Sequence, residues 1–263
     1  MPHTIKDNKM EYKEFKHGIV YLGDAQEILE KLDRNSAEVC VTSPPYNLCK
    51  RYSDYTNTKT GKSMTEKYEK WYPDDLPEWT YQGQQRSLIH SLVRVCKSSV
   101  FYNHRIRYAW HNRNLYRTQS NLHHPMHWLE GFPLWEEIVW DRCGIGNPSR
   151  RYHSQNERVY QIGKPRKWHN EEGLTNIWKI PPSRNAGHVC TFPEKLVENC
   201  ILPTTETGDT VLDPYLGSGT TAVVAIKHGR RFIGIEIDPE YFELACKNIE
   251  AAEQALEEEN DKS

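Results

Sequence analysis

Short apolar runs, each closed by turn residues and followed by residues at helical spacing, recur along this chain. Gly18–Leu22 (GIVYL) predicts a strand, followed by Gly23-Asp24 and a predicted helical stretch from Ala25 to Leu32. Ala37–Val41 predicts a second strand that runs directly into Thr42-Ser-Pro-Pro-Tyr-Asn47. Residues 48 to 78 are polar, rich in Lys and Tyr and without a period, which predicts a long mobile loop. Leu88, Leu92 and Val95 fall on one side of a predicted helix, and Ser99–Tyr102, Glu137–Trp140 and Arg158–Ile162 read as strands. Phe192–Leu202 is amphipathic and helical, with Pro193 suited to the first helical position. The pattern is clearest near the end: strand Thr210–Asp213, loop Pro214–Gly219, helix Thr220–His228, strand Arg231–Glu236, helix Pro239–Ala252. Strands alternating with helices in this way predict an α/β fold on a mostly parallel sheet with right-handed crossovers.

Length and charge narrow the picture. A chain of 263 residues suits one large α/β domain, here taken as residues 1–263, with insertions at about 48–80 and 142–175. The formal net charge of −2 excludes a global positive field that would hold nucleic acid indiscriminately. The charge is segregated, however. Trp79 to Leu129 contains no Asp or Glu but seven Arg and Lys, with Tyr102, Tyr108, Trp110, Tyr116 and Trp128 among them. Arg142 to Asn170 carries seven more against the single acid Glu157, and the segment from Glu250 onward is acidic, a surface helix expected to fray. Basic stretches interleaved with aromatics suit a phosphate backbone and splayed bases, although a solvated face has the same composition. No run approaches 18 apolar residues and MPHTIKDNKM holds no apolar signal segment, so the expectation is a cytoplasmic protein with no membrane span. Seven cysteines with no C-x-x-C pair suggest reduced thiols, and the histidines, His123, His124 and His127 included, lack the spacing of a metal site.

Two stretches carry candidate chemistry. Asp213-Pro-Tyr-Leu-Gly-Ser-Gly-Thr-Thr221 lies between a predicted strand end and a helix start, where nucleotide-like ligands bind in open α/β sheets. Gly217 and Gly219 allow the backbone to approach a ligand, and Ser218 and Thr220 add hydroxyls. Glu236 ends the next strand, where a carboxylate can accept from two ribose hydroxyls. The loop lacks both G-x-G-x-x-G and G-K-[ST], so an adenosine ligand without a triphosphate fits better than NAD or ATP. In the second stretch, the Ser43 hydroxyl and the Pro44 carbonyl could accept from an exocyclic amine. Pro44 and Pro45 stiffen the turn, and Tyr46 could stack on the ring that bears the amine.

Taken together, these stretches resemble the β-class, circularly permuted, amino-methylating DNA methyltransferases. The resemblance covers most of residues 18 to 250. Ser43-Pro44-Pro45-Tyr46 is similar to that family's catalytic tetrapeptide, and it precedes the cofactor loop, which assigns the permuted order. Asp213–Thr221 resembles the cofactor loop, with Tyr215 where Phe is usual, and FIGIEID (232–238) the acidic strand end that follows it. HVCTFPEKLVENCI (188–201) is similar to the segment beside the methionine part of the cofactor. Asp24 matches the acid expected near the adenine, and a helix N-cap is its other reading. Glu137–Gly163 resembles the strand pair of the target-base pocket. The resemblance implies a Rossmann-like fold, S-adenosyl-L-methionine as cofactor and double-stranded DNA as substrate. It further implies a restriction–modification or phage or host modification role, with the base flipped out for reaction. Ser in the first motif position is associated with cytosine N4, and adenine N6 is the alternative. A homodimer and a cognate restriction endonuclease are partners known for such families, and no residue here bears on either. Two unrelated readings compete: a nicotinamide-dependent oxidoreductase, suggested by Gly217, Gly219 and Glu236, and a non-catalytic nucleic-acid module using the basic stretches.

Overall fold

The computed structural model describes residues 10–47, 76–109, 121–144, 155–182 and 193–261. In chain order the strands are β1 (Glu11–Glu14), β2 (Gly18–Leu22), β3 (Val39–Thr42), β4 (Val100–His104), β5 (Arg107–Ala109), β6 (Asn121–His123), β7 (Leu134–Asp141), β8 (Asn156–Ile162), β9 (Ile177–Lys179), β10 (Thr210–Asp213) and β11 (Arg231–Glu236). The helices are α1 (Ala25–Lys31), α2 (Glu78–Val95), α3 (Met126–Leu129), α4 (Glu194–Ile201), α5 (Thr220–Lys227) and α6 (Pro239–Asn260). Nine strands form one sheet in the order β1-β2-β11-β10-β3-β4-β8-β7-β9, and β5 and β6 form a separate hairpin.

The sheet is mostly parallel, as the alternation of elements predicts. β2, β11, β10, β3 and β4 run the same way, flanked by antiparallel β1 on one side and β8 on the other. Successive strand residues point to opposite faces, so a strand covered on both sides must be apolar throughout. Val39 and Val41 of β3 pack with α4, α5 and α6, while Cys40 between them packs with α1, α2 and α3. Val211 and Leu212 of β10, and Phe232 and Ile233 of β11, divide in the same way.

Several elements depart from the pattern read along the chain. The expected loop at 48–78 lies outside the described residues up to position 75, and α2 begins at Glu78, well before Leu88. Its first half hides polar and aromatic side chains rather than aliphatic ones: Tyr81 and Gln85 are buried, and Gln85 Oε1 accepts from the Tyr102 hydroxyl at 2.8 Å. Pro193 is the N-cap of α4 and not its first turn. The acidic C-terminal segment stays helical to Asn260, with Ala252 and Leu256 packed against the core and basic side chains beside its acids. Lys13 pairs with Glu250, Lys16 with Glu257 and His17 with Glu253, each within 2.9 Å.

The basic stretches also differ from expectation. Tyr102 and Trp128 are core residues. Arg86 donates to the Trp128 and Glu130 carbonyls, Arg94 to the Leu29 and Leu32 carbonyls, and buried Arg107 pairs with Glu78 at 2.7 Å. These guanidinium groups hold the scaffold together. Trp110, Arg113, Tyr116 and Arg117 lie outside the described residues. Among the described residues no helix is long and apolar enough to cross a membrane.

Candidate active site

The geometry follows from strand order. β10 connects through α5 to β11 on one side of it, whereas β3 connects through α2 to β4 on the other. The chain therefore diverges between β10 and β3, and a crevice outside the C-terminal ends of such strands is where ligands bind in open α/β sheets. Both candidate stretches lie there. Val211 pairs with Val39 and Leu212 with Cys40, and immediately beyond, Thr42 Oγ1 donates to Asp213 Oδ1 at 3.1 Å. Two segments remote in sequence are thus joined by a hydrogen bond at the mouth of the sheet.

Asp213 organises the glycine loop. Its Oδ1 also accepts the Tyr215 amide (3.1 Å) and its Oδ2 the Thr221 hydroxyl (2.7 Å). Burial lifts this carboxyl from its ordinary 3.8 to about 7, against the pull of its three donors. Gly219 caps α5 at φ 90°, and a β-carbon there would lie 3.2 Å from the Ala245 Cα of α6, so this glycine serves helix packing. Gly217, at φ 56°, is different: among the described residues, a β-carbon would meet no atom within 4 Å beyond its chain neighbours. The loop is open at that point. Ser218 turns its carbonyl to the Asn248 amide, and Thr220 opens α5.

Glu236 ends β11 beside this loop. Its Oε2 accepts the Gly217 amide at 2.7 Å, and its Oε1 the Ile237 and Asp238 amides at 3.0 and 2.9 Å. Burial raises its carboxyl above the usual range despite these amides. Asp24 is the N-cap of α1, with Oδ1 accepting the Gln26 and Glu27 amides. It also lines, with Gln84, Gln85, Leu88 and Tyr215, a cavity of about 240 Å³. A larger hollow of about 540 Å³, with Asn170, Asn199, Thr205 and Arg230 in its wall, contains none of these residues.

On the other side of the crevice, Ser43 and Tyr46 meet side chains that the sequence reading did not single out. Tyr46 Oη lies 2.9 Å from Ser43 Oγ, 2.6 Å from Asn103 Oδ1 and 3.0 Å from Glu157 Oε2. Arg142 donates to the other Glu157 oxygen at 2.9 Å. The Tyr46 ring packs on His104, with centroids 4.6 Å apart, and burial lowers the His104 imidazole to about 3, so it is neutral at physiological pH. The Pro45 carbonyl lies 2.9 Å from the Tyr81 hydroxyl, whereas among the described residues the Pro44 carbonyl accepts no hydrogen bond. Asn47 follows at φ 50°, and its amide exchanges two hydrogen bonds with the Leu76 backbone, 2.8 and 2.9 Å long. That clasp ties together the two ends of the segment 48–75.

Glu157 had left one trace in the sequence, as the lone acid in a basic stretch. Asn103, His104 and Tyr81 left none, because β4 and α2 reach the site only through the fold.

Comparison with known proteins agrees with this architecture. The PvuII DNA methyltransferase, described as cytosine-N4-specific, superposes with a TM-score of 0.66 at 22% identity, over 89% of this chain and 86% of its own. A Thermus thermophilus protein described as a putative DNA modification methylase, in a structure complexed with S-adenosyl-L-methionine, superposes with a TM-score of 0.63 at 22% identity, over 89% and 93%. In sequence, the DNA adenine methyltransferase YhdJ of Escherichia coli is 26% identical over 90% of this chain and 84% of its own, and further relatives are described as type II methyltransferases. Residues 37–247, which span both strand ends of the crevice and everything between them, match the DNA methylase family, and the chain accordingly belongs to the N6/N4 DNA methylases.

Proposed function

We propose that this DNA methyltransferase moves the methyl group of S-adenosyl-L-methionine to the exocyclic N4 amine of a cytosine flipped out of duplex DNA. The observation that carries this reading is the meeting of the Ser43–Tyr46 turn and the Asp213 loop across the Thr42–Asp213 hydrogen bond. Family membership leaves no support for the nicotinamide-dependent and non-catalytic readings.

The residues present fit the cofactor. Among the described residues no atom beyond its chain neighbours would crowd a β-carbon at Gly217, the Glu236 carboxylate accepts the amide there, and Asp24 and Tyr215 line a cavity of about 240 Å³ that would receive the adenine. S-adenosyl-L-methionine, when bound, supplies an electrophilic sulfonium methyl. The protein must then hold a poor nucleophile in line, since the amine lone pair is delocalised into the base. Ser43 Oγ and the Pro44 carbonyl are the acceptors that would hold the amine with its lone pair turned toward the methyl, which is positioning together with stabilisation of developing positive charge. Tyr46 would stack on the extruded base and offset part of the unstacking cost of roughly a few kcal/mol. The whole chain acts as one catalytic domain in this reading, with 48–80 and 142–175 supplying base contacts around the β8 scaffold.

Ser43 in the first position of the tetrapeptide and the name of the PvuII neighbour favour cytosine N4. The similarity to an enzyme named for adenine supports adenine N6 as the second reading. Mass analysis of nucleosides from DNA incubated with protein and cofactor separates them. A 4-methylcytidine peak is expected, a 6-methyladenosine peak transfers the assignment to adenine, and neither peak refutes methyl transfer. Glu236→Ala should weaken S-adenosylhomocysteine binding about tenfold, the loss of one charge-assisted hydrogen bond, as read by calorimetric titration. An unchanged affinity would remove Glu236 from the cofactor site.

A further inference from the structure

Four side-chain oxygens crowd together on the amine side of the crevice. Ser43 Oγ lies 2.9 Å from Tyr46 Oη and 3.2 Å from Asn103 Oδ1, and Tyr46 Oη lies 2.6 Å from Asn103 Oδ1 and 3.0 Å from Glu157 Oε2. The Asn103 amide is oriented by its Nδ2, which donates to the Arg158 carbonyl at 2.9 Å, so Oδ1 can only accept. With Glu157 as a carboxylate, two hydroxyl protons serve these four contacts. A third proton on Glu157 Oε2 would fall between Glu157 and Tyr46 with no heavy atom displaced. Methylation of an exocyclic amine releases one proton.

We infer that Glu157 receives the proton lost by the target amine, relayed through the Ser43 and Tyr46 hydroxyls. The inference rests on the methyl-transfer reading above. As the nitrogen bonds to the methyl carbon, the carbon–sulfur bond breaks and its electron pair stays on sulfur, which leaves the nitrogen cationic. The nitrogen gives a proton to Ser43 Oγ, Ser43 gives its own to Tyr46 Oη, and Tyr46 gives its own to Glu157 Oε2. Both hydroxyls end as they began, and the carboxylate ends as a carboxylic acid. Arg142 occupies Oε1 and so leaves Oε2 facing Tyr46. Arg142 and Tyr46 are the charged and titratable side chains in contact with Glu157 among the described residues. Glu157 is itself 7% exposed, and the partly exposed Arg142 marks the side from which the proton later reaches water.

The test compares wild type, Glu157→Gln and Tyr46→Phe in single-turnover transfer in water and in D2O, on a duplex carrying the mapped methylation site. Base flipping is followed in parallel by 2-aminopurine fluorescence at the target, and cofactor binding by titration. Both variants should bind cofactor and flip the base as wild type does. Transfer should slow about a hundredfold, the low end for a lost acid–base group. Wild type should transfer more slowly in D2O than in water, and both variants should lose that solvent isotope effect. Transfer within threefold of wild type, or a retained solvent isotope effect, overturns the relay. Slow transfer together with lost base flipping also overturns it, because Glu157 would then merely support the Tyr46 ring. Failure of wild type to methylate DNA at all refutes the underlying reading instead.

Discussion

Tyr46→Ala is expected to slow methyl transfer about a thousandfold while cofactor affinity stays within threefold of wild type. Two losses combine in that figure. The ring that would stack on the extruded base disappears, and such stacks are worth about 1–3 kcal/mol. The hydroxyl between Ser43, Asn103 and Glu157 goes with it, leaving Asn103 Oδ1 and Glu157 Oε2 without their shared donor. Because the side chain serves both purposes at once, the two effects will not add simply. Cofactor binding should persist, since the Asp213 loop takes its hydrogen bonds from Thr42, Thr221 and the Tyr215 amide. Single-turnover kinetics beside a binding titration reads both quantities. A Tyr46→Ala enzyme that methylated DNA at the wild-type rate would end the case for stacking.

Asp213→Ala should have the largest effect on stability, about 3 kcal/mol or more in urea denaturation. Three donors lose their acceptor in the interior, and each buried group left unsatisfied costs about 1–3 kcal/mol before repacking. The pH dependence has a definite sign. The folded carboxyl titrates near 7 and the unfolded one near its ordinary 3.8, so between these values the folded protein holds a proton that the unfolded chain has released. The contribution of this group to stability is thus complete below about pH 4 and is lost as pH rises through about 7. Asp213→Asn, which keeps an acceptor but cannot titrate, should flatten that part of the stability profile. A profile for Asp213→Asn that falls as steeply as wild type between pH 5 and 8 would assign the slope to another group.

Legibility in the sequence followed burial and contiguity. β2, β10 and β11 are covered on both faces, so they appear as unbroken apolar runs and their limits were readable. β1 and β9 lie at the sheet margins with mostly exposed side chains, and nothing in their composition marks them as strands. The first half of α2 was hidden for the opposite reason: its buried face is Tyr81 and Gln85, which only acquire partners in β4 and in the Pro45 turn. Within the site, the tetrapeptide and the glycine loop were legible because each packs several functional groups into adjacent positions. Asn103, Glu157 and Arg142 join them through pairing of β4 with β8 and through the turn after β7, contacts that local spacing cannot encode. In the basic stretch from Trp79, Arg86, Arg94 and Arg107 serve the scaffold. Arginines that satisfy buried carbonyls have the same composition as arginines that meet phosphates, and only the fold tells them apart.

On the proposal that 48–80 supplies base contacts, the Asn47–Leu76 clasp bears on how such an enzyme could change the DNA word it reads. Entry to and exit from the segment 48–75 are pinned to each other by the scaffold itself, so a substitute of another length begins and ends at the same two points. Doubling such a connection adds only about 0.6 kcal/mol of closure entropy. Exchanging this stretch between relatives therefore asks little of the catalytic crevice, and new sequence preferences could be acquired by wholesale replacement with the chemistry carried along intact.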